Sequence, residues 1–221
     1  MSISMITNLI ILISSQIGFL YGIFTILIKK KPLYLKMVVL AMACMTVGRI
    51  FVMLQYITKD QMPDVFNIGM LGMVGCFLFL FSANYGMIDG LTDDGSREFL
   101  KYRIISWLIP ALIVVGFIPA FLYEDHMSKK ISYTIVVLFI ALASRYHFKH
   151  LIFPDVDYGV VRAIRGYNLI ALVLCVSAMI FIGADMTDNE YALLGAGIVM
   201  SVCCLVIIPL LRKEATKWTT V

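Results

Sequence analysis

Seven apolar runs, each roughly 18 to 25 residues long, fill most of this 221-residue chain, and charge is confined to short clusters between them. At ~1.5 Å rise per residue, a helix of that length matches the ~30 Å hydrocarbon core of a bilayer. Only 14% of the residues are charged, whereas an ordinary soluble domain carries about 25%. Seven such helices in one short chain leave no amphipathic layer to cover them in water, so lipid is the solvent the pattern demands. The sequence therefore reads as an all-α polytopic membrane protein, a seven-transmembrane-helix bundle, with residues 1–221 forming a single integral membrane domain. The spans fall at about 5–28, 33–57, 66–88, 104–123, 131–151, 166–185 and 191–211.

Seven spans alternate the connections between two sides. One side collects 14 of the 18 basic residues: Lys29, Lys30, Lys31 and Lys36; Arg97, Lys101 and Arg103; Arg145, Lys149, Arg162 and Arg165; and Arg212, Lys213 and Lys217. The other side holds only Lys59, Lys129 and Lys130. Basic residues favour the cytoplasmic side, so the bias predicts the N-terminus out and the C-terminus in. Short loops and this topology suggest a bacterial plasma membrane. The basic residues stand where topology requires them, which removes nucleic acid as a partner and leaves membrane lipids as the constant one.

The five cysteines all fall inside apolar runs, which excludes a loop zinc site and a disulfide framework, and they read as small packing residues. No sequence feature implies a cofactor, a metal or a catalytic residue; motifs for serine hydrolases, zinc proteases and nucleotide binding are missing. Small residues mark helix contacts: Gly18 and Gly22 in the first span, and Gly69, Gly72 and Gly75 in the third. Their expected role is packing within the chain, with a homodimer as the alternative, and the third span is expected at the centre of the bundle.

Arg49 carries the most information. It lies inside the second span, beyond the bilayer middle, where a guanidinium costs ~2.5–3.5 kcal/mol on insertion scales. A residue kept at that cost is a candidate for receiving a ligand anion in an outward cavity. Gln16, Gln55, Tyr56 and Asp185 are its candidate companions in ligand binding, and Asn8 and Asp185 are among its candidate partners.

A second polar group falls at the cytoplasmic end: Asp89, Asp93, Asp94, Arg97, Arg145 and His147. Asp89 and Asp93 are four apart and share a helix face if the helix continues, a spacing that can hold magnesium. With Asn84 ahead of them, they resemble the first aspartate-rich motif of UbiA-type prenyltransferases. The first gap here is one residue too long, and the second such motif is missing. Asp89-Gly90 is similar to the start of the CDP-alcohol phosphotransferase motif, whose later residues do not follow. The six residues read as a docking surface for a cytoplasmic signalling protein, with a pH-sensitive contact between His147 and Asp89 or Asp93 as a further option.

Span count and orientation resemble the seven-helix sensor regions of bacterial signalling proteins. The functional expectation is a membrane sensory or signalling module that binds a small ligand or lipid within the bundle and couples to a cytoplasmic partner. A small-solute or lipid transporter is the alternative, and a magnesium-dependent intramembrane enzyme acting on lipid-linked phosphates is the third. Overall the pattern favours a protein that is not an enzyme.

Overall fold

The structure, a computed structural model, describes residues 2–59, 65–154 and 160–219. Among these there is no strand, and seven helices are long and apolar enough to cross a membrane. In chain order they are α1 (Ile3–Gly22), α2 (Leu33–Lys59), α3 (Ile68–Ala83), α4 (Leu108–Tyr123), α5 (Met127–Ile152), α6 (Arg165–Met186) and α7 (Glu190–Thr219). Parts of the loops read from sequence at 58–65 and 152–165 lie outside the described residues.

Local chemistry fixes the helix ends. The Ser2 hydroxyl accepts from Met5 N–H, and the side chains of Asn67 and Asn189 accept from Met70 and Ala192 N–H, so three helices start on side-chain caps. The start of α6 is capped from another helix: the carboxylate of Glu214, on α7, accepts the Tyr167 N–H at 2.9 Å. Two helices continue past their α-helical part as π turns, α1 through Ile23–Leu27 and α3 through Asn84–Asp89. Helical turns from Arg97 lead into α4, interrupted at Ser106 and Trp107 just ahead of Pro110. Proline has no N–H to bond the carbonyl one turn back, which accounts for the break.

Neighbours in sequence are mostly neighbours in space. Helix α1 packs on α2 and α7, α2 on α3, α3 on α5, α5 on α6, and α6 on α7, which closes a ring of six. Helix α4 sits outside the ring against α5 and α6, and it is the least buried of the seven. The most buried are α2 and α6 rather than the glycine-rich α3. Glycines set contacts between pairs of helices, which need not be at the centre of the bundle.

Those contacts are close. A Cβ placed on Gly72 would stand 2.6 Å from the Cys44 carbonyl oxygen and 2.6 Å from Gly48 Cα, so α2 and α3 touch backbone to backbone. A Cβ on Gly18 would meet the Cys204 carbonyl oxygen on α7 at 2.5 Å. In lipid, apolar surface gives no drive for helices to associate, and close packing through small residues supplies it instead. Both glycine faces are thus occupied within the chain. Around the outside, large apolar side chains such as Ile17, Leu71, Val115 and Val202 are more than half exposed. Such a belt suits a hydrocarbon solvent and not water.

Candidate functional site

Helices that alternate in direction along the chain give the bundle two polar ends. At the end that holds the start of α1 and the end of α2, a cavity of about 290 Å³ opens between α1, α2, α3, α5, α6 and α7. Arg49 lines it ~15 Å below the end of α2, at 1.5 Å per residue. Its side chain is buried and held from two sides. Nη1 donates to Asn8 Oδ1 at 2.6 Å, and the guanidinium carbon lies 4.9 Å from the centre of the Phe181 ring. The other edge, Nε and Nη2, is buried without a hydrogen-bond partner among the described residues. These two N–H groups lie side by side and form the fork that grips both oxygens of a carboxylate.

The cavity wall adds further polar groups. Tyr56 and Ser4 share a hydrogen bond of 2.5 Å between α2 and α1. The Tyr133 hydroxyl donates to Asp185 Oδ2 at 2.5 Å, which ties α5 to α6. The Lys129 ammonium lies 3.0 Å from Glu124 Oε2 and 3.7 Å from Asp185 Oδ2, so Glu124 is its closer partner. Burial alone would raise the Glu124 carboxyl, but hydrogen bonds from the His126 N–H and Lys129 outweigh it and hold Glu124 below the usual carboxylate range. At the mouth, Asp188 and Glu190 are exposed. Asp188 has φ 53° in the turn between α6 and α7.

Of the residues expected to bind a ligand, the structure brings Arg49, Tyr56 and Asp185 to one cavity. Gln16 is exposed on the outer face of α1 and Gln55 is half-buried; neither lines it. Asn8 is a direct partner of Arg49, whereas Asp185 is held by Tyr133 and Lys129. Sequence reasoning missed Ser4, Lys129, Tyr133 and Phe181. Lys129 was the one with a signal, as a rare basic residue on its side of the chain.

At the opposite end, Lys149 of α5 is the hub. Its ammonium lies 2.5 Å from Asp89 and 2.6 Å from Asp93, so a cation already stands between the two carboxylates. Arg103 adds a contact of 2.9 Å to Asp93. For both carboxyls burial pushes up, and the hydrogen bonds win. Asp89 is held low by His150 and Lys149, and Asp93 is held at about 2 by Lys149, Arg103 and the Gly95 N–H. A depressed folded value means that Asp93 contributes stability above its free value near 4, and that this contribution is lost as pH falls towards 2. The cluster therefore stays intact through neutral and mildly acid pH.

His147 does not reach these carboxylates. It is fully buried, its Nδ1 2.8 Å from Asn84 Nδ2 and 2.9 Å from Asn168 Oδ1. His150, three residues on, is the histidine near Asp89, at 3.4 Å. A fully buried His147 presents nothing to a docking partner. Arg145 stacks over the Trp107 ring at 4.0 Å, while Asp94 and Arg97 are exposed. Among the described residues no group of three or more His, Cys, Asp or Glu could hold a metal ion. Compared with known proteins, the chain matches no family model, no curated protein sequence and no solved structure.

Proposed function

We propose that this chain is a seven-helix membrane sensory module of a bacterial plasma membrane, with its N-terminus outside, which receives a small carboxylate-bearing ligand in the Arg49 cavity. The single observation behind the reading is the unpartnered Nε–Nη2 edge of a buried arginine that lines a polar cavity. A buried donor left unpaired costs about 1–3 kcal/mol, more when charged, and a carboxylate in the cavity removes that cost. At about 290 Å³ the space sits at the low end of the ~300–1,000 Å³ usual for ligand pockets, which points to a small molecule.

A sensor is favoured over a transporter by what lies below the arginine. One to two turns towards the opposite end, Ile11, Met42, Met45 and Phe77 are buried and belong to one continuous apolar core. Arg49 also touches α6 through Phe181 and α1 through Asn8, so a guanidinium that swings to meet a ligand changes contacts on both helices. The exposed Asp94 and Arg97, next to the Lys149 cluster, are the proposed docking point for a cytoplasmic signalling partner.

The test is thermal melting of the purified full chain in lipid nanodiscs with a panel of small carboxylates and amino acids, each against chloride. At least one compound is expected to raise the melting temperature by several degrees, and none doing so would refute the reading. Passage of that compound across proteoliposomes faster than across protein-free vesicles would favour the transporter.

Orientation has its own check. Cysteine introduced by Asp188→Cys is expected to react with an impermeant reagent in intact cells, and cysteine introduced by Asp94→Cys only after lysis. The reverse labelling pattern overturns the N-out topology.

A further inference from the structure

The charges in the Arg49 cavity are not those of a site for a simple anion. Two opposite charges, Arg49 and Asp185, line it without pairing with each other. Among the described residues Arg49 forms no ion pair, and its Nε–Nη2 edge can take two oxygens. Asp185 uses Oδ2 for Tyr133 and, at 3.7 Å, for Lys129, while its Oδ1 takes no hydrogen bond from the described residues. Lys129 is shared between Asp185 and the closer Glu124, so one ammonium faces two carboxylates and the trio keeps a net charge of −1. The net effect is a positive group on α2 and a negative group on α6, both facing one small space.

A plain carboxylate bound at Arg49 would leave Asp185 facing a second anion. Like charges in a partly dry cavity repel strongly, and the two exposed acids at the mouth, Asp188 and Glu190, add to the repulsion of an entering anion. A plain amine would satisfy Asp185 and leave the guanidinium unpaired. A molecule that carries both groups pairs with both walls at once and enters as an electrically neutral species. We infer that the ligand of the Arg49 cavity is a small zwitterion of the amino-acid class, its carboxylate on the Arg49 fork and its ammonium on Asp185. This inference rests on the ligand-binding reading above and specifies the chemistry of the same site.

The apolar part of the wall sets the remaining limits. Val52, Met70, Phe181 and Leu193 also line the cavity, so a short apolar side chain is accommodated better than a further charge. Tyr56 and Ser4, bonded to each other, add two hydroxyls to the wall.

The test uses the full chain in nanodiscs and titrates matched triples. Each L-amino acid with an apolar or small side chain is compared with its deaminated acid and its decarboxylated amine, as in L-alanine, propionate and ethylamine. At least one amino acid is expected to bind ten-fold or more tightly than both of its one-charge counterparts. Asp185→Asn is then expected to bring that amino acid's affinity down to that of its acid, with the acid's own affinity unchanged or improved. Retained acid binding also reports that the variant has folded. If an acid binds as tightly as its amino acid, the zwitterion inference fails while the carboxylate reading of the cavity survives. If neither acids nor amino acids bind, both fail.

Discussion

Arg49→Met is expected to yield a protein that melts higher than the wild type and no longer responds to ligand. The guanidinium is buried, has one hydrogen bond from Nη1, and leaves Nε and Nη2 without a partner among the described residues. Replacing buried charges by an apolar side chain of similar volume is often neutral or stabilising, by about 1–4 kcal/mol. Methionine can still lie against Phe181, so packing is largely kept. Against this gain, Asn8 Oδ1 loses its donor at about 1 kcal/mol, although Asn8 Nδ2 keeps its bond to the Ser4 carbonyl. A net gain of about 0–3 kcal/mol follows. Arg49→Lys should lose binding as well, because an ammonium cannot reproduce the two-pronged grip. Melting curves of both variants, with and without the stabilising compound, decide the matter. A melting temperature for Arg49→Met clearly below the wild type would make the arginine a structural member of the bundle and sink this account. Adding Asp185→Asn to Arg49→Met should rescue nothing, since Asp185 is held by Tyr133 and Lys129.

The largest loss of stability is expected from Gly72→Leu. Even a single Cβ at this position meets backbone atoms of α2 at 2.6 Å, and backbone cannot rotate away as a side chain can. Overpacking a well-filled core costs about 1–3 kcal/mol when side chains absorb it. Here α2 and α3 would have to separate, so Gly72→Ala should already cost at least about 2 kcal/mol and Gly72→Leu should prevent accumulation of folded protein. Gly116→Ala is the internal control, because a Cβ there meets nothing within 4 Å. Alanine is also the better helix former by about 1 kcal/mol, so that variant should be neutral or slightly stabilised. Folded yield by size-exclusion chromatography and melting in one detergent measure all three. A Gly72→Leu protein that melts like the wild type would show that the close approach of α2 and α3 is wrong.

How much of this was legible in the sequence follows from which interactions are local. The seven helices could be read because hydropathy is a property of consecutive residues, and their ends agree with the runs to within a few residues. The exceptions have local causes: helical turns begin before α4 at Arg97, and α7 runs past its apolar part to Thr219. Arg49 stood out because one charge in an apolar span is visible without a fold. Its partner Asn8 could be weighed only as one of several polar residues at the same depth. The Lys149 cluster could not be read at all. Lys149 is 60 residues from Asp89, and whether it or His147 faces the carboxylates depends on how α5 is rotated against α3. That rotation is set by packing, and at residues two apart on one helix it reverses the answer.

The π turn at Asn84–Asp89 has a consequence for how the length of this chain can vary. A π turn closes on the fifth residue where an α turn closes on the fourth, so it stores one residue more than a regular helix needs. Asn84, at its start, faces His147 and Asn168, and Asp89, at its end, faces Lys149. Removing any one of the four residues between them would restore a regular helix and turn Asp89 by roughly 100° relative to Asn84. The chain could then keep its buried amide–imidazole contact or its carboxylate–ammonium contact, but not both. A one-residue gap in a related chain at this point would therefore mark the loss of one of these contacts, whatever the similarity of the residues on either side.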